Sequence, residues 1–385
     1  MKVLSTYKGF YFLLSLVVLC GMNALAQTEQ QADSIIKANS LDIYENPDKV
    51  IKAGEGIYKN ANYSIKARVR SLMMVSDAYS SKRDYQKALK YFLKANDLSK
   101  KSTDKKLQIT VLNKTAIKYQ QLKVYDKAVQ YLDEGERLIN EYPSLDSVRM
   151  SLAVNHIVRG FIYKDQLNCD IAIGYFDKGI QELIKSANDD AKPSLSIATY
   201  NKGNCYSLSG NYVMAKKSFR EAIMYADAVH ANSLKAFALK GLAQVYTLEG
   251  NYKESIIVLN EALEISKNVG DLVLNKAINS GLADNYLALS DWPNYHLYHK
   301  KYMQVQLELT ESERKSISDS IDELSQVHEL KLSELKQDYT YKLITVFIMI
   351  LFAAVFIYRY HRRAKKSLNS LNDLIVKMKK EREIA

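Results

Sequence analysis

The sequence predicts an all-α chain: a solenoid of helical hairpins, followed by a helical stalk and a single transmembrane helix. Three observations predict it. Only 4 Pro and 14 Gly stand beside 28 Tyr in 385 residues, and long stretches rich in Ala, Leu, Lys and Ile lack the turn residues that punctuate a sheet. A set of small and aromatic residues returns six times across the middle of the chain. Near the C-terminus, sixteen residues from Leu343 to Tyr358 carry no charge.

From the N-terminus, Lys2 and Lys8 precede an apolar run that extends from Phe10 to Cys20, and Ala24-Leu25-Ala26 precedes Gln27. Basic, apolar, then small-x-small is the order of a secretory signal peptide, here residues 1–26. Lipidation at Cys20 is disfavoured because Leu19 stands where a small residue is wanted. Removing the leader leaves Cys169 and Cys205, too few for a disulfide framework or a metal knuckle. They are expected as two unpaired, half-buried thiols, with a bridge between neighbouring repeats as the alternative in an oxidising compartment.

Residues 27–68 are expected to form capping helices, a degenerate pair over 31–62 that turns at Asn46-Pro47. The repeats follow over residues 69–302. Counted from Val69, small Ser76 stands at position 8, Tyr79 at 11, Tyr85 at 17, Ala88 at 20, Phe92 at 24 and Ala95 at 27. The same places return from Ile109 (Ala116, Tyr119, Tyr125, Ala128, Leu132, Gly135) and from Ala153 (Gly160, Tyr163, Cys169, Ala172, Phe176, Gly179). They return again from Ser196 (Gly203, Tyr206, Tyr212, Ala215, Phe219, Ala222) and from Ala236 (Ala243, Tyr246, Tyr252, Ser255, Leu259, Ala262). A sixth copy from Lys276 keeps Ala283, Tyr286 and Trp292, then drifts to Tyr295, His299 and Tyr302, as a terminal repeat would. Small residues at 8, 20 and 27 let two antiparallel helices approach, while large ones at 11, 17 and 24 fill the space to the next pair. The turn falls between 13 and 17, marked by Gly210-Asn211 and Gly250-Asn251.

This spacing resembles the tetratricopeptide repeat over residues 69–302. The period departs from the family's: successive position-11 tyrosines are 40, 44, 43, 40 and 40 residues apart, against about 34 in the family pattern. HEAT and armadillo repeats share the longer period but do not explain the recurring Tyr, Ala, Phe/Leu, Ala/Gly set. The resemblance implies a concave face lined by the first helix of each pair, at positions such as 2, 5, 9 and 12. Carried over, these are Met73, Asp77, Asn113, Gln120, Phe161, Lys164, Tyr200, Asn204, Lys240 and Gln244. Amides beside aromatics suit a protein or peptide ligand, bonding its backbone while the rings take its side chains. The plain alternative is a solvated surface with a few exposed rings, and the family's basic clamp for a C-terminal carboxylate is not clearly repeated.

Residues 303–341 hold no Pro or Gly, and Ile317, Ile321, Leu324, His328, Leu332, Leu335 and Tyr339 form a helical stripe. They predict a stalk or coiled coil up to about 57 Å long, with a face able to pair with a second copy. The run 343–358 is short for a span, but Lys342 and Arg359 can snorkel from either end. A buried core helix is the alternative. Arg359 to Lys366 reads RYHRRAKK, however, a cytoplasmic flank under the positive-inside rule. Leader and flank predict the same topology: a single-pass inner-membrane protein with periplasmic repeats and a cytoplasmic C-terminus.

The formal charge of +11 is concentrated at the ends. Residues 359–385 carry nine Lys/Arg against three Asp/Glu, and the leader adds two Lys, so the body retains only +3. Nucleic acid is therefore not an expected partner. His296 and His299 share a helix face without a carboxylate or thiol at ligand spacing, so no metal site is expected. His328-Glu329 is similar to a phospho-accepting histidine box, but lies on the side of the membrane without ATP and lacks the following Pro. No phosphate loop, nucleophile elbow or zinc-protease motif is present, so neither an enzyme nor a cofactor is expected. The tail places Leu368, Leu371 and Ile375 on one helical face among lysines, fit to lie on anionic lipid or to meet a cytoplasmic partner. The layout also resembles membrane sensors in which a repeat array, one span and a linker helix precede a kinase or a helix-turn-helix domain. Only 27 residues follow the span here, so the second expectation is a signalling protein whose output domain is lacking or separately supplied.

Overall fold

The computed structural model describes residues 29–39, 42–43, 46–186, 189–267 and 271–383, with the side chains at 312, 315–331, 334 and 379–383 outside the description. The leader, Cys20 and the stripe side chains Ile317, Ile321, Leu324 and His328 therefore lie outside the described residues. The described secondary structure is helical, with no strand among the described residues. The chain divides at residue 320 into two units.

In the first unit the helices run as hairpins. Helix α1 (29–39) precedes α2 (Pro47–Lys59), which starts at Asn46 and Pro47 as proline at the first helical position favours. Then come α3 (Ile65–Ser81) with α4 (Tyr85–Ser99), α5 (Lys105–Gln121) with α6 (Tyr125–Asn140), and α7 (Leu145–Asp165) with α8 (Cys169–Lys185). They are followed by α9 (Lys192–Leu208) with α10 (Tyr212–Asp227), α11 (Asn232–Leu248) with α12 (Tyr252–Ser266), and α13 (Leu272–Ala288) with the start of α14 (Trp292–Glu383). Side chains of Ser64, Asp84, Asp104, Asn168, Asn211 and Asp271 cap the helices that follow them, accepting backbone N–H groups that the first turn leaves unpaired.

The recurring residues do what their sizes suggest. Position 24, occupied by Phe92, Leu132, Phe176, Phe219 and Leu259, is fully buried in each of five hairpins. The alanines at position 20 and the small residues at position 27 are buried around it. Each such ring or leucine removed from water contributes about 1.5–3 kcal/mol. Close approach is enforced rather than incidental. A Cβ added to Gly160 would meet the Phe176 ring at 2.5 Å, and one added to Gly241 would meet Phe219 at 2.4 Å. Two serines join the same faces from opposite sides: Ser76 Oγ at position 8 donates to the Ala88 carbonyl at position 20, and Ser255 Oγ at position 20 donates to the Ala243 carbonyl at position 8.

The tyrosines at position 11 close the turn. In all six hairpins the carbonyl at position 11 accepts the N–H of position 16, as in Asp84 to Tyr79 and Asn211 to Tyr206, the backbone signature of a Schellman cap. Their rings stack on a second tyrosine twelve residues later. Tyr79–Tyr91, Tyr119–Tyr131, Tyr163–Tyr175 and Tyr286–Tyr298 have centroids 5.3, 5.4, 5.4 and 5.6 Å apart. In the fourth and fifth hairpins Ser218 and Val258 occupy that place, and lysines 202 and 216 cover Tyr206 and Tyr246 instead.

In the sixth hairpin Tyr295 stacks against His299 and lies edge-on to Trp292. No group of three His, Cys, Asp or Glu side chains able to hold a metal occurs among the described residues. α14 runs without interruption for 92 residues, so stalk, apolar run and tail share one helix. In the second unit, residues 335–378 include a stretch long and apolar enough to cross a membrane, none of it buried. Leu332, Leu335 and Tyr339 before the apolar run 343–358, and Leu368, Leu371 and Ile375 after it, are exposed.

Candidate binding groove

The first helices of the hairpins wall two cavities. The larger, about 680 Å³, is lined by Asp77 and Ser80 of α3, Lys114 and Lys118 of α5, Ile197 of α9, and Leu272 and Leu309 across from them. The smaller, about 200 Å³, lies between α9 and α11, lined by Ile197, Tyr200, Leu234 and Phe237. Ile197 borders both.

The larger cavity is charged. Lys118 is only 6% exposed. Its ammonium donates to Asp77 Oδ1 at 3.0 Å and to Ser80 Oγ at 2.8 Å, and lies 5.2 Å from the centre of the Phe92 ring. Lys114 reaches the other Asp77 oxygen at 3.5 Å. Burial pushes the Asp77 carboxyl up, but the two lysines together outweigh it and hold it below its ordinary value. Burial likewise pushes Lys118 down, with Asp77 opposing. Arg83 and Tyr85, joined by a 3.2 Å hydrogen bond, also line this cavity. The smaller cavity is apolar, with Tyr200 tilted against Phe219 at 5.8 Å and edge-on to Phe237 at 6.1 Å.

Of the ten residues carried over to the concave face, Asp77 and Tyr200 line cavities. Phe161 and Lys164 come together, the ammonium 5.7 Å from the ring centre, and Lys164 donates to Asn201 Oδ1 at 2.7 Å. Gln120 donates to Asp165 at 2.6 Å. Asn204 and Lys240 are half-buried and Gln244 is exposed. Met73 and Asn113 must be corrected: both are buried and offer nothing to a ligand. Met73 packs in the core around Phe92. Asn113 donates to the Ser151 carbonyl at 2.7 Å and accepts from Asn155 at 3.1 Å, a polar tie between successive first helices.

Sequence reasoning missed Lys114, Lys118, Ile197 and Phe237. A signal for the lysines existed, since they stand 37 and 41 residues after Asp77, close to one repeat period, with opposite charge. Ile197 and Phe237 both stand at position 2, one of the concave-face positions the resemblance implies, but the residues carried over were drawn from positions 5, 9 and 12.

Tetratricopeptide-repeat family models match residues 69–102, 198–228 and 238–273. No curated protein sequence matches the chain. Among solved structures, NprR in complex with its cognate peptide NprX is similar at a TM-score of 0.51 and 14% identity, covering 82% of this chain and 94% of that one. A Rap protein complexed with competence and sporulation factor is similar at a TM-score of 0.50 and 14% identity, covering 71% and 84%. At that identity the likeness speaks for the fold alone. The matched hairpins, with the same small and aromatic places filled on either side of them, show that this chain carries tetratricopeptide-type repeats.

Proposed function

We propose that this chain is a binding protein, anchored in a membrane by the apolar part of α14, whose repeat array takes a protein or peptide along its concave face. The observation that carries this reading is the pair of adjoining cavities, one charged around Asp77 and Lys118 and one apolar around Tyr200 and Phe237. Such a surface offers an extended chain polar partners beside a place for an apolar side chain. Binding is favoured over catalysis because the charged groups there are spent on one another, Asp77 on two lysines. A peptide is the first ligand class to test, since NprR is solved with its cognate peptide.

The leader and the basic flank after the apolar run support export of the repeats to the periplasm, with the C-terminus left in the cytoplasm. A second reading, a signalling protein that works with a separate output domain, draws on the exposed Leu368, Leu371 and Ile375 beyond the apolar run, which offer a linker face to a partner.

The test is photo-crosslinking from the full chain in intact cells, with a photoreactive residue at Tyr200 or Gln244 and, as control, at the exposed Gly174. Adducts from the first two positions alone are expected, and equal yields from all three would overturn a groove-borne function. Protease added to spheroplasts is expected to cut the repeats, and protection there would overturn the topology. A kinase or transcription factor captured specifically by the tail would favour the signalling reading.

A further inference from the structure

The two cysteines of the repeat array stand one hairpin apart and come together. Cys169 is the first residue of α8, and Cys205 lies on α9, which begins the next hairpin. Both pack in one core cluster around Phe176 and Ala198, with Cys205 fully buried and Cys169 at its half-exposed margin. α8 and α9 pack directly against each other at this cluster. Both are free in this structure. Each repeat otherwise holds its neighbour by non-covalent packing and by polar ties such as Lys164 to Asn201, so a covalent bond here would be of a different kind.

We propose that Cys169 and Cys205 form an oxidation site, at which a disulfide-bearing oxidant cross-links α8 to α9 and fixes the third hairpin against the fourth. Cys169 is the thiol such an oxidant can reach. Its thiolate attacks one sulfur of the oxidant, forming a mixed disulfide and releasing the oxidant's other sulfur as a thiolate, which takes up a proton. Cys205 then attacks Cys169 Sγ, loses its own proton, and expels the remaining sulfur of the oxidant as a thiol. The two cysteines together lose two protons and two electrons, and the oxidant is reduced to two thiols. Burial, and then the neighbouring Cys169 thiol, push the Cys205 thiol up, so the second step is the slow one. In cells the cross-link rests additionally on export of the array, since disulfides persist in oxidising compartments and are rare elsewhere.

The test uses the purified full chain, solubilised in detergent and incubated with oxidised glutathione, followed by alkylation of free thiols and non-reducing peptide mapping. A peptide pair joined through Cys169 and Cys205 is expected. It should disappear on reduction, be absent in Cys205→Ser, and raise the thermal midpoint of the oxidised protein by several degrees. Both cysteines found alkylated after oxidation, or glutathione retained on Cys169 beside a free Cys205, would overturn the proposal. Alkylation in intact cells separates the two assumptions. Linked cysteines there support both the site and export, whereas free cysteines in cells with a cross-link in vitro support the site and count against export.

Discussion

Position 15 of every hairpin turn adopts a positive φ, yet only two of the six residues there are glycine. Arg83, Lys123, Leu167 and Ser290 hold φ of 63°, 59°, 59° and 58° beside Gly210 at 75° and Gly250 at 77°. An L-residue in that region costs about 1–2 kcal/mol, whereas glycine costs roughly 0.5–1 kcal/mol in chain entropy. Leu167 is 81% exposed and loses little packing on replacement. Leu167→Gly is therefore expected to stabilise the array by up to about 1 kcal/mol, seen as a higher urea midpoint; a lower one would refute it. His156 is a second residue-scale case. Its Nδ1 is buried and finds no hydrogen-bond partner among the described residues. Burial pushes its pKa below the ordinary value. A histidine depressed on folding is protonated more readily when unfolded, so its contribution is complete above its unfolded pKa of about 6.5 and is lost as pH falls below that. Thermal midpoints taken from pH 7.5 to 5 are expected to decline more steeply for the natural protein than for His156→Phe.

At the scale of the helix, glycines that look alike in the sequence have opposite roles. Gly160 in α7 has its space taken by the Phe176 ring, while an added Cβ at Gly174 in α8 would meet nothing within 4 Å. Gly160→Ala is expected to destabilise by about 1–3 kcal/mol through overpacking, and Gly174→Ala to stabilise by up to about 1 kcal/mol through helix propensity. Chemical denaturation of the two variants side by side checks this, and shifts of the same sign would contradict it. Positions 8 and 27 were legible as close-contact places because small residues recur there. The stacking of position 11 on position 23 was not, since Tyr91, Tyr131 and Tyr175 return in only some hairpins and the reading followed places filled in nearly all of them. The union of stalk, apolar run and tail in one helix also escaped a reading that divided the chain by composition.

At the scale of the molecule, an array in which each hairpin rests on its neighbours fails first where one interface is weakened. Phe219 fills the space between α9, α10 and α11, against Gly203 and Gly241. Phe219→Ala is expected to cost about 3–5 kcal/mol and to speed amide exchange in α9 to α11 before α3 and α4; uniform loss of protection would instead mean that the repeats unfold as one unit. By itself the sequence determined the hairpins and the residues at which their helices meet. Those contacts lie within one period, and bulk alone marks them: alanine or glycine where backbones approach, phenylalanine or leucine where a gap must be filled. Only the tertiary structure decided which side chains face the groove. Met73 and Asn113 turned inward because exposure depends on each helix's rotation about its own axis, and the neighbouring hairpin sets that rotation. The same holds for Lys118 finding Asp77 and for Cys169 and Cys205 sharing one core cluster. Pairs about forty residues apart meet only once the stacking of one hairpin on the next has been set.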